Sequence, residues 1–212
     1  MVVVWFKRDL RLEDHEPLTR ALASGEKVLL LYSFESFWTQ DPHYSDLHID
    51  FIQEGLEEIQ LKLKEYDTKI LILSDYIPEI LKKIHSKEPI KALYSHMEAG
   101  MDITYTRDKA VKKWCTQNSI HWHEFAQNGL WRALKNRQKW RDHWISQMKA
   151  PIHIPSFLPT TYYTASEIDG LSAALKLVPL ELNITHKKGI QIGGSLNGWK
   201  YLHSFMTKRI SG

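Results

Sequence analysis

Among 212 residues the sequence has one cysteine, Cys115. That excludes an intramolecular disulfide and, by itself, any cysteine-based metal site. No apolar run reaches the length of a membrane span, and at the amino end the apolar residues precede the charged ones, the reverse of a secretory signal. A reducing cytoplasm is the compartment these features predict. Excess charge is small as well: 28 basic against 25 acidic side chains give +3, so global charge does not announce a nucleic-acid binder. The G-x-S-x-G elbow, the P-loop and H-E-x-x-H are missing, and no arrangement of Ser, His and Asp in the sequence marks a nucleophile. No catalytic residue is assigned.

What is present begins with VVVWFKRDLRLEDH. The β-branched run 2–6 predicts a buried strand. A turn built to cradle pyrophosphate on bare backbone would follow it with G-x-G-x-x-G; here stand Lys7, Arg8, Asp9, Arg11, Glu13 and Asp14. Further strands are predicted over 28–33, 69–74, 90–96 and 120–125. Ile52, Leu56, Ile59, Leu63 and Tyr66 recur at three- and four-residue spacing, the mark of an amphipathic helix, with Ser45 as its N-cap. Shorter helices are expected over 76–86 and 102–117, the latter ended by Asn118, and Pro17 sits early in the first crossover helix. The fold class is therefore α/β: a five-stranded parallel Rossmann-like sheet with helices on both faces, then a long linker and a C-terminal helix. We divide the chain into this domain (1–129), a basic Trp-rich helix and interdomain linker (130–192, with one short helix near 166–177), and a terminal helical segment (193–212).

In an open parallel sheet, ligands bind beyond the carboxyl ends of the strands. The loops there carry Lys7, Arg8, Asp9 and Arg11 after the first strand, Phe34 and Glu35 (with Phe37 and Trp38) after the second, and His96 and Glu98 after the fourth. These are the candidate cofactor-binding residues, suited to a flat, partly anionic aromatic compound. The competing reading is that Arg8, Asp9 and Arg11 form structural ion pairs between turn and helix. The stretch GLWRALKNRQKWRDHW interleaves Arg132, Lys135, Arg137, Lys139 and Arg141 with Trp131, Trp140 and Trp144, either as a nucleic-acid surface or as a helix whose indoles pack inward. His96 with Glu98, and His121 with His123, have metal-ligand chemistry but no third partner in sequence, so no metal site is assigned.

The opening VVVWFKRDLRLEDHEPL resembles the signature of the DNA photolyase/cryptochrome family, with His15 where asparagine is usual. SHMEAGMDITYTRDKAVKKWC, including Arg107 and Asp108, is similar to that family's fourth-strand loop and helix. WHEFAQNGLWRALKNRQKW and GGSLNGWKYLHSFMTKRISG follow in family order, with Ser195 where an acidic residue is common. The resemblance implies an amino-terminal α/β antenna domain whose rim holds a folate, deazaflavin or flavin chromophore. It implies that the catalytic FAD lies in a helical domain following residue 212, so that this chain would be an amino-terminal fragment. The full-length protein would then be a deoxyribodipyrimidine photo-lyase, a carbon–carbon lyase that repairs pyrimidine dimers in DNA with light; its partners would be damaged DNA and the helical domain, and no membrane. Residues 1–212 alone would bind antenna weakly, and an apolar patch is expected around Trp199 and Phe205. A blue-light-sensing cryptochrome domain and a free-standing nucleotide-binding module stay open as alternatives.

Overall fold

Strands buried on both faces read as continuous apolar runs rather than alternating ones. Four strands here are buried at every residue: β1 (Val2–Trp5), β2 (Val28–Ser33), β3 (Ile70–Leu73) and β4 (Ala92–His96). A fifth, β5 (His121–Phe125), is only partly covered. In the computed structural model of the chain, which describes residues 1–42, 44–129, 132, 134, 136–185 and 189–209 (backbone only at 38 and 39), all five run parallel in the order β3-β2-β1-β4-β5. The chain builds outward from β1 to β3, then crosses back to place β4 on the other side of β1. The strand order therefore reverses between β1 and β4, and crevices form at such points.

The helices cover both faces. On one lie α1 (Glu16–Leu22), whose Leu18, Ala21 and Leu22 are buried, and α3 (Asp46–Leu63), which buries Leu56, Ile59 and Leu63 against Val2, Val4 and Leu30. Between them is a single turn, α2 (Ser36–Thr39). The opposite face carries α4 (Ile77–Lys87), α5 (Asp102–Gln117) and α7 (Ala165–Ala174), packed on Val3, Trp5, Leu29 and Leu71. Ser45 caps α3 together with His48, whose Nδ1 accepts the Ser45 N–H at 3.1 Å. Asn118 closes α5 with its side-chain amide on the Trp114 carbonyl at 2.9 Å, while Ser119 takes the left-handed conformation at φ 57°. Cys115 is buried among these side chains, and burial pushes its thiol up to about 12.

Two parts of the chain depart from the sequence expectation. Of the helix expected from residue 130, the described residues form α6 (Trp140–Met148). Before it, Arg132 is drawn toward the end of β5, donating to Glu124 Oε1 at 3.3 Å and to the Glu98 carbonyl, and Asn136 folds its side chain onto the Gln138 N–H at 3.2 Å. The Asn136 interaction competes with helical bonding. Leu130, Trp131 and Lys135 of that expectation lie outside the described residues. Second, residues 150–185 and 189–194 fold back over the α/β domain. His15 N–H reaches the His153 carbonyl at 3.1 Å and Leu180 N–H the Ile72 carbonyl at 2.8 Å. β3 is too short to pair with Val28, and Tyr162 takes up that position beside it. The last helix, α8 (Ser195–Lys208), is tied to α3 at its start but buries none of its own residues; Trp199 is 67% and Phe205 47% exposed. Ile210, at the end of the expected helix, is outside the described residues.

Candidate functional site

The loop after β1 is shaped by Asp9. Its Oδ1 accepts the Lys7 N–H at 2.6 Å, and its carbonyl accepts the Arg11 N–H at 2.7 Å. This tight turn brings Lys7, Arg8, Leu10 and Arg11 around a cavity of about 890 Å³ beyond the carboxyl ends of β1, β2 and β4. Its size is that of an organic-ligand site. Tyr32, Ser33 and Glu35 come from β2 and its loop, Glu98, Met101 and Thr104 from the β4–α5 region. One wall is the start of α3, with Leu47, His48, Phe51 and Ile52; Ile190, Gln191, Gly194 and Ser195 supply a roof.

Charge on the floor is mutually satisfied. Arg107, buried on α5, donates to Glu35 at 2.8 Å, to Glu98 at 2.5 Å and to Asp108 at 2.8 Å. Lys7 Nζ pairs with Asp108 at 3.0 Å and lies 4.2 Å from the Trp5 ring centroid and 5.3 Å from that of Trp122. Arg8 Nε meets Glu98 at 3.0 Å, and its guanidinium also donates to the Tyr44 hydroxyl at 2.9 Å. Desolvating an ion costs several kcal/mol, so buried charges need this density of partners. Burial pushes the Glu35 carboxyl up while Arg107 pulls it down, and burial lowers Lys7 against the opposing pull of Asp108. The floor cations are committed to carboxylates. Arg11, at the mouth, donates its side-chain hydrogen bonds among the described residues to the Asp14 carbonyl.

Behind the floor sits a buried triad. Asp9 Oδ2 lies 2.6 Å from His96 Nδ1 and 2.9 Å from His15 Nε2, the latter off the line of the ring N–H. Burial opposes ionisation of Asp9, yet the two imidazoles hold its carboxyl well below the usual range. His15 Nδ1 accepts the Leu18 N–H at 3.1 Å, capping α1 where asparagine would otherwise serve. A lone pair at Nδ1 puts the ring proton on Nε2. The Asp9–His96 contact is a hydrogen bond, while His15 Nε2 faces the same carboxylate oxygen without one. His121 and His123 stack on one another at 5.1 Å, and His123 on Tyr94 at 4.7 Å.

Of the residues singled out from sequence, Lys7, Arg8, Arg11, Glu35 and Glu98 line the cavity. Three do not. Asp9 and His96 are consumed in the triad, and Phe34 is buried edge-on against Tyr32 with centroids 5.0 Å apart. The Arg8–Asp9 ion pair does not form, because each charge has a nearer partner. The Trp38 side chain is outside what is described. Sequence reasoning missed Tyr44 and Phe51, and named Arg107 and Ser195 only in family-like stretches without assigning them to the site; the apolar i, i+4 pair Leu47–Phe51 on the exposed side of an otherwise amphipathic helix was the available signal.

The family model for DNA photolyase matches residues 2–142. A cryptochrome DASH from Synechocystis sp. is 29% identical over 117 residues, covering 53% of this chain and 24% of that protein. A deoxyribodipyrimidine photo-lyase from Vibrio cholerae is 38% identical over 63 residues, 30% of this chain and 13% of that protein. An archaeal photolyase from Sulfolobus tokodaii, solved with two FAD molecules and an implied novel light-harvesting cofactor, superposes with TM-score 0.67 at 18% identity; the match covers 96% of this chain and 46% of that one. The Synechocystis sp. cryptochrome structure gives 0.68 at 19% identity, covering 97% and 46%. The chain thus spans a quarter or less of these curated relatives and under half of the solved chains.

Proposed function

The chain belongs to the DNA photolyase family, and from that premise we propose that its cavity seats a flat light-harvesting chromophore of the flavin, deazaflavin or folate class. The observation that carries this reading is the combination of a switch-point cavity, walls of Leu10, Leu47, Phe51, Ile52 and Met101, and a floor whose cations are already paired. Apolar walls stack a ring, and the ordered Glu35, Glu98 and Tyr44 oxygens offer directional contacts to ring edges. A bound chromophore would supply absorption and excitation transfer; the chain's own residues orient it and exclude water. Arg11 stands where an anionic tail would leave the mouth. The light-harvesting cofactor implied for the Sulfolobus photolyase supports the same use here.

For the whole protein we propose a second cofactor, FAD, in a helical domain of which α8 is the first helix, and light-driven repair of pyrimidine dimers in DNA in the cytoplasm. The exposed face of α8 supports the helical-domain reading. The cryptochrome DASH relatives support a second reading, blue-light sensing, through the same antenna seat. No helix among the described residues is long and apolar enough to cross a membrane. The test is to saturate the chain with flavin mononucleotide, FAD or methenyltetrahydrofolate, illuminate it, and recover the ligand. Saturable one-to-one binding with the ligand recovered unchanged is expected; no saturable binding, or conversion of the ligand at this site, contradicts the proposal. Dimer repair under blue light by a longer protein would separate repair from sensing.

A further inference from the structure

We propose that His121 and His123 on β5 form a bidentate site for a copper(II) ion, independent of the antenna cavity. Alternation along a strand puts residues i and i+2 on one face. Here the two imidazoles lie nearly parallel, with centroids 5.1 Å apart and planes 17° apart. β5 is an edge strand, and it leaves His121 exposed and His123 half-buried. Register with β4 holds the pair in place. Tyr94 stands beside His123 and backs its ring at 4.7 Å, while small Ala92 stands beside His121. Tyr94 is in turn stacked with Phe125 at 6.4 Å.

These stacks engage only the flat faces of the rings. Neither imidazole makes a hydrogen bond or ion pair among the described residues. His15, His48 and His85 differ, because the Nδ1 of each accepts a backbone N–H. Burial and the neighbouring His121 lower the His123 pKa, which keeps a lone pair on its ring at neutral pH. The torsion that swings an imidazole about its Cβ–Cγ bond is broad, so the two rings can tilt toward a shared ion at little cost. Donor chemistry selects the metal. Glu124 lies on the other face of β5, held by Arg132, and no third His, Cys, Asp or Glu donor among the described residues joins the pair. Zinc sites in proteins draw three or four protein ligands. Copper(II) binds nitrogen more tightly than the other divalent ions of its row and accepts a tetragonal set of two imidazoles completed by water.

The test titrates the 212-residue chain with copper(II) chloride at neutral pH, with glycine present to strip weakly held metal. Calorimetry should give one copper per chain, and electron spin-echo spectroscopy should count two imidazoles on it. His121→Gln and His123→Gln should each weaken binding about tenfold or more and leave at most one imidazole in the spectrum. His121 is exposed, so its variant should keep the melting temperature; should His123→Gln fail to fold, His121→Gln decides alone. Zinc chloride should bind more weakly than copper. Neither variant should alter flavin binding, which keeps this proposal separable from the antenna reading. Copper removed by glycine, a single imidazole in the wild-type spectrum, equal affinity after His121→Gln, or zinc held as tightly as copper would each overturn it.

Discussion

Arg107 on α5 donates from Nη1 to Glu35 Oε2 at 2.8 Å, joining a helix that follows β4 to the loop that follows β2 across the mouth of the switch point. The same guanidinium holds Glu98 and Asp108, so three buried carboxylates depend on it. Removing one partner of a buried pair leaves uncompensated charge and costs about 3–5 kcal/mol. Arg107→Met should therefore destabilise the chain by about that amount in urea unfolding. Arg107→Met with Glu35→Gln should recover part of the loss; a double variant as unstable as the sum of its single changes would show that the two groups are not coupled.

His15 makes stability depend on pH. Burial lowers its pKa below the ordinary 6.5, against the pull of Asp9. The unfolded chain therefore binds the proton first, and stability is lost as pH falls from about 7 through the folded-state value, by at most about 1.4 kcal/mol per pH unit. His15→Asn keeps an N-cap for α1 but has no proton to take up. Urea unfolding at pH 7.5, 6.5 and 5.5 should show a shallower decline for the variant; parallel curves would remove His15 from the explanation.

The cavity roof hangs on Gly193. Its N–H donates to the buried Glu54 at 2.6 Å, and a Cβ at this position would collide with the Phe51 carbonyl on α3. Gly193→Ala should lift residues 190–195 off α3, raising amide exchange there and weakening flavin binding several-fold while the sheet's slow-exchanging amides keep their protection. Unchanged exchange at residues 190–196 would mean that the roof is held by other contacts.

The α/β framework was legible because each buried strand is a short β-branched or leucine-rich run set off by turn residues; VLLLYS at 28–33 is a strand from its first residue to its last. Helix starts were legible where a side chain caps them, as at Ser45. The site was half legible. Lys7, Arg8, Arg11, Glu35 and Glu98 stand next to strand ends, so knowing the strands nearly places them. Arg107 could not be found this way: its partner Glu35 is 72 residues away, and only the folded sheet brings the two together. The same holds for the roof, since nothing local in GIQIGGS says that it packs on α3. His15 shows a third case, in which one imidazole both caps a helix and faces a buried carboxylate, a pairing that no local pattern announces.

The seat for a chromophore is best examined at Leu47, which is 39% exposed at the cavity wall. Wild-type and Leu47→Trp chains should be titrated side by side with flavin mononucleotide, following quenching of flavin fluorescence. The wild type should saturate at one flavin per chain, and the indole should occupy the cavity and weaken binding at least tenfold with the melting temperature preserved. Equal affinity in the two chains would place the flavin elsewhere and contradict a chromophore seat at the β1–β4 switch point.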